Sequence, residues 1–144
     1  MQYARAASML QTFAVAEAGE ASGPLSEYLD HLIVRTDPLG DGPAVPASAR
    51  IIELPYSDDF AISLEKVKAS QPDIVTTVRL PLDENAPVHA LALVKDGAEV
   101  LHLQADMQGR GLGNRQDNFI ISLMKEIHFH LVDAGERERV TILL

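Results

Sequence analysis

The chain has no cysteine among its 144 residues. That absence excludes disulfides, thiolate metal centres and a cysteine nucleophile in this polypeptide. It leaves the redox compartment open, because a cysteine-free chain tolerates oxidising and reducing surroundings alike. Basic side chains are scarce: 12 Lys and Arg stand against 21 Asp and Glu, a net charge of −9. Such a surface repels a phosphate backbone, which argues against nucleic acid and in favour of a partner with a basic surface. No run of 18 apolar residues occurs, so no membrane span is expected. The N-terminus lacks a basic start followed by an apolar block, so no cleaved secretory signal is expected either. A cytoplasmic location fits both absences, and a signal read by a specialised secretion system for delivery into a host cell would leave no trace in either pattern.

What is present suits one compact domain, since 47% of the residues are hydrophobic and the length allows a sizeable core. Tyr3, Ala6, Ala7, Leu10, Phe13 and Ala14 recur at helical spacing, and Leu25, Tyr28, Leu29, Leu32 and Ile33 form a second stripe. These give an N-terminal helical segment over residues 1–35. A Pro/Gly-rich loop follows over 36–49, and an α+β core is expected over 50–144. Within that core the pattern predicts a strand at Arg50 to Leu54 and a helix carrying Phe60, Leu64 and Val67. A second strand is expected at Ile74 to Leu80. The stretch Val88 to Asp106 reads as a tight hairpin turning at Asp96-Gly97. A long helix with Ile120, Leu123, Met124, Ile127 and Leu131 on one face and a last strand at Val140 to Leu144 complete the order ααβαβββαβ. Tight hairpins and few helices predict an α+β fold with a mainly antiparallel sheet.

Two groups of residues carry candidate chemistry. His89 stands at the start of the expected hairpin, and Gln104 and Asp106 stand at its end. A histidine oriented by a carboxamide or carboxylate can act as a general base; the plainer alternative is a half-exposed histidine at a sheet rim. The loop Gly109 to Asn114 precedes a helix and is flanked by two arginines. Backbone amides around Gly111 and Gly113, with the guanidinium groups of Arg110 and Arg115, could hold an anion; a mobile surface loop is the plainer alternative. His128 and His130 are two apart on a helix and point about 200° apart, so they cannot clamp one metal. His89 and His102 lack a placed third ligand, and neither a metal nor a cofactor is expected. The N-terminal stripes serve either core packing or a partner face, including a homodimer through the N-terminal helices.

The run Ser63-Leu64-Glu65-Lys66-Val67, then Asp73 to Leu80, then Val88-His89-Ala90-Leu91-Ala92-Leu93-Val94, then Glu99 to Asp106, resembles the core of YopJ-type effectors. These are secreted bacterial acetyltransferases with a papain-like, Clan-CE-like fold. The likeness covers about residues 50–144 and implies a partial papain-like fold. It sets His89 at the catalytic histidine and Gln104 at the acid, with Asp106 two residues on. The nucleophilic cysteine has no counterpart, and without it a ping-pong acyl transfer cannot run. The resemblance therefore implies a degenerate effector domain that acts by binding a protein. Two other readings stay open: a small acidic secretion-chaperone or immunity-type binding protein, and a hydrolase or transferase using His89.

Overall fold

The computed structural model of the protein describes residues 2–36 and 45–144. Two compact units are formed, Met1–Pro55 with Ile62–Thr76, and Tyr56–Ala61 with Thr77–Leu144.

The first unit opens with helix α1 (Gln2–Leu10), strand β1 (Ala14–Glu17) and the short helix α2 (Ala18–Ala21). A 3-10 turn at Ser26–His31 leads into β2 (Leu32–Arg35), and β3 (Ile51–Pro55) follows. Most of helix α3 (Phe60–Ser70) belongs to this unit as well. Strands β1, β2 and β3 run parallel, with Ala16 opposite Val34 and Val34 opposite Ile52. All three of these side chains are buried. The adjacent register row is Glu17, Arg35 and Glu53. Arg35 Nε donates to Glu53 Oε1 at 2.9 Å, and Arg35 Nη1 lies 3.5 Å from Glu17 Oε1. Glu53 is fully buried, so the guanidinium offsets the cost of removing its carboxylate from water. A one-residue slip would drive these charges into the apolar face, so the ladder also pins the strand register.

The second unit holds most of β4 (Val75–Pro81), then α4 (Ala86–Lys95), β5 (Val100–Gln104), α5 (Ile120–Asp133) and β6 (Thr141–Leu143). These strands are parallel too, with Val78 opposite Leu101 and Leu101 opposite Ile142. Val78, Leu80, Leu101 and Leu103 are buried together with Ala90 and Leu93 of α4 and Leu123, Ile127 and Leu131 of α5. The two helices pack against each other.

The expected antiparallel sheet is therefore not formed, and the architecture is α/β with parallel strands. The hairpin is replaced by a helix, a turn and a strand. Ala86-Pro87 opens α4, with Asn85 at its cap, and proline is well suited to a first helical turn. The Ala and Leu residues that follow favour a helix over a strand. Asp96-Gly97 is the helix end: Gly97 N–H donates to Val94 O at 3.1 Å and Ala98 N–H to Leu93 O at 2.9 Å. Gly97 has φ +97°, the left-handed conformation that this helix stop needs. The same Asp-Gly pair that signals a hairpin turn thus ends a crossover helix, and β5 returns parallel to β4. The second N-terminal stripe is corrected as well: its β-branched end forms β2, and only the 3-10 turn remains of the helix. The first helix stops at Leu10, and Ala14 begins a strand. The central part of the Pro/Gly-rich loop, 37–44, lies outside the described residues.

Candidate functional site

His89 lies in the second turn of α4, not at a strand start. Its amide donates to Asn85 O at 3.0 Å. Its imidazole stacks on the ring of Tyr56, with centroids 4.4 Å apart and planes 19° from parallel. Tyr56 directly follows β3 and is fixed by its own amide, which donates to Arg79 O at 3.1 Å. The phenol donates to Asp58 Oδ1 at 3.1 Å. Burial first, then the Asp58 hydrogen bond and the charges of Asp58 and Asp83, push the Tyr56 phenol above its ordinary value of 10.0. The pair stands near the carboxyl end of β4, where parallel α/β sheets present their ligand-facing loops.

Gln104 and Asp106 are occupied differently. Gln104 is exposed at the end of β5, and its carbonyl accepts from Leu82 N–H at 3.0 Å. Asp106 Oδ1 accepts the amides of Gln108 at 2.9 Å and Arg110 at 2.8 Å. That carboxylate organises the loop after β5. Among the described residues no hydrogen bond joins His89 to Gln104 or Asp106, and the side chain that the fold sets against His89 is Tyr56.

The loop around Gly111 is tied down through its own backbone. Gly111 N–H donates to Asn118 O at 3.0 Å, Leu112 N–H to Leu82 O at 2.9 Å, and Arg115 N–H to Leu112 O at 3.0 Å. These amides, with that of Arg110, are engaged within the protein rather than turned to an anion. A Cβ at position 111 would come within 2.6 Å of Arg115 Cβ and 2.7 Å of Leu123 Cδ1, so Gly111 lets the loop lie on α5. Gly113 starts a 3-10 turn ending at Arg115. The Arg115 guanidinium pairs with Glu126, and the Arg110 guanidinium lies 4.3 Å from the Phe119 ring centroid.

His102 sits in β5, in register with Arg79 of β4 and Leu143 of β6. His128 Nδ1 accepts from Arg137 Nε at 3.0 Å. Among the described residues no cluster of three or more His, Asp or Glu is arranged to hold a metal ion. Nor is any helix among them long and apolar enough to cross a membrane.

Sequence reasoning missed two features. The Tyr56–His89 stack joins residues 33 apart in sequence, and no local pattern marks such a pair. The exposed apolar faces were only half visible. On α1 and the turn after it, Met9, Leu10 and Phe13 are 74%, 75% and 50% exposed, and Tyr3 42%. On α5, Ile121, Phe129 and Val132 are 50%, 61% and 47% exposed, although the same helix also buries Leu123, Ile127 and Leu131. Large apolar side chains grouped at a surface mark protein contact sites.

No family model, curated protein or solved structure matches the chain. The segment expected to form a strand opening with His89 is helix α4.

Proposed function

We propose that this protein acts by binding protein rather than by turnover, and that its first partner is a second copy of the same chain, docked through α1. The observation that carries this reading is the apolar face of Tyr3, Met9, Leu10 and Phe13, left exposed at the N-terminus. Its charge surroundings favour a like copy. Residues 1–16 contain no carboxylate, and Arg5 is their one charged side chain, in a chain of net charge −9. Two such chains repel each other over most of their surface, whereas residues 1–16 bring no carboxylate to the contact, and Glu20, beside this face, is engaged by the Tyr3 hydroxyl at 3.2 Å. A two-fold pairing would bury the same patch on both copies. In the effector comparison this corresponds to a member that keeps binding and lacks turnover.

Gel filtration with light scattering tests the reading on three forms of the full chain. The unmodified protein should run at twice its chain mass. Leu10→Glu should run as a monomer, and His89→Ala should stay a dimer. A monomeric unmodified protein, or a Leu10→Glu dimer, would reject it.

A further inference from the structure

The first unit holds a cavity of about 460 Å³ where β3 and β4 begin. Its walls are two short segments, within 47–51 and 71–75. Val75 N–H donates to Arg50 O at 2.9 Å and ties one wall to the other. Each wall is also fixed by itself: Ala49 N–H donates to Pro46 O at 2.9 Å, and Ile74 N–H to Gln71 O at 3.2 Å. From α3, Lys68 Nζ donates to Ile74 O at 2.7 Å. A second cavity of about 320 Å³ shares Gln71 and Ile74 with the first, and Val45, Ile52 and Val67 line it. Ile52, Val67 and Ile74 are buried, so the floor is apolar. Both volumes fall in the range of small-molecule sites, about 300–1,000 Å³. All the lining residues belong to the first unit, and none to α1. A pocket whose walls are already tied needs little ordering on binding.

Two charges select the ligand. Arg50 and Asp73 line the first cavity, one from each wall, and both are exposed. Among the described residues neither side chain makes a hydrogen bond or an ion pair. Arg35 of the same unit, by contrast, is paired with Glu53 and Glu17. A plain anion drawn to Arg50 would also meet the Asp73 carboxylate, and a plain cation drawn to Asp73 would meet the guanidinium. A ligand carrying both signs satisfies the two together. Lys66, the third charged side chain of these walls, lines the second cavity only. From this arrangement we infer that the joined cavities bind a small apolar zwitterion of the amino-acid class. Its carboxylate would sit on Arg50, whose fork suits it, and its ammonium on Asp73. Its side chain would pass over Ile74 toward Ile52 and Val67. The charges orient the ligand and the apolar walls hold it.

The test is an NMR titration of the isotopically labelled full chain at about pH 6, where an α-amino group stays protonated. The probes are L-leucine, leucinamide without the carboxylate, 4-methylpentanoate without the amine, and glycine without the side chain. L-leucine should saturate the protein by about 10 mM, tenfold above a millimolar Kd. Its shift changes should concentrate in residues 45–52 and 66–75. Leucinamide and 4-methylpentanoate should each bind about fivefold more weakly, the size of one partly exposed ion pair. Glycine should bind at least about tenfold more weakly. Arg50→Gln and Asp73→Asn, both at exposed positions, leave the core intact. Arg50→Gln should erase the preference for leucine over leucinamide, and Asp73→Asn the preference over 4-methylpentanoate. No saturable change with leucine, shift changes centred elsewhere, or an analogue that binds as tightly as leucine would overturn the inference. So would an unchanged leucine Kd in either variant.

Discussion

Helices α1 and α5 both turn large apolar side chains to solvent, yet they are held in very different ways. α1 has 9 residues and buries Ala4 and Ala7, whereas α5 has 14 and buries Leu123, Ile127 and Leu131. Burying a Leu or Ile side chain contributes about 1.5–3 kcal/mol, and a single methyl far less. A helix as short as α1 is not stable by itself in water. Their ends differ too. Both stop with the same pair of backbone bonds: Thr12 N–H to Ala7 O and Gln11 N–H to Ser8 O in α1, Glu136 N–H to Leu131 O and Gly135 N–H to Val132 O in α5. The left-handed residue is Gly135 at φ +70° in α5 and Gln11 at φ +52° in α1. The comparison teaches that similar exposure can sit on opposite supports. The α1 face rides on a lightly anchored helix that association can stabilise, and the α5 face rides on a frame that is already complete.

The largest expected effect separates the two anchors. Ile127→Ala should cost about 2–5 kcal/mol by leaving a cavity under α5. Ala7→Gly in α1 should cost only about 1 kcal/mol. Urea denaturation of both variants measures this, and equal losses would break the comparison. A smaller effect tests the strained helix end. Gln11→Gly should raise stability by about 0.5–1 kcal/mol, since a non-glycine residue at this φ costs about 1–2 kcal/mol and glycine returns part of that as lost chain entropy. The loss of the exposed Gln11 Nε2 to Ser8 O bond at 2.8 Å works against the gain. A melting midpoint at or below that of the unmodified protein would show that the side chain outweighs the strain.

The smallest effect concerns the second unit away from either face. Folding raises the Tyr56 pKa above 10.0, so the phenol binds its proton more tightly folded than unfolded. Its contribution is fully present below about pH 10 and is lost as pH rises through the folded value. Tyr56→Phe should therefore flatten the fall in stability at alkaline pH. Identical pH profiles for the two proteins would remove Tyr56 from that account.

Much of the element pattern was legible where burial and local chemistry agree. Ile51 and Ile52 are β-branched and Leu54 is apolar, Ile120 to Leu131 has a helical stripe, and Gly135 stops that helix, all as the residues suggest. Residues 88–94 misled because Val-His-Ala-Leu-Ala-Leu-Val fits both an alternating strand and a buried helix. Pro87 ahead of it was the discriminating residue. That single change of state turned antiparallel into parallel, because a helix between two strands reverses the chain twice. His89 was legible as a residue of interest but its surroundings were not. Tyr56 is held beside it by its amide bond to Arg79 O, a contact between residues far apart in sequence, and the reach of Asp106 is local, to amides two and four residues on. The α1 stripe was visible at once, but which of its side chains face solvent depends on how little of the helix the fold covers.

Amide hydrogen exchange at two protein concentrations tests the central claim most directly. Exchange reports local opening, and a helix that is covered on association opens less often. The account predicts that protection of the α1 amides, from Arg5 through Thr12, rises with protein concentration, and that protection in α5 does not change. Leu10→Glu should remove the concentration dependence. Protection of α1 that is the same at both concentrations in the unmodified protein would contradict it.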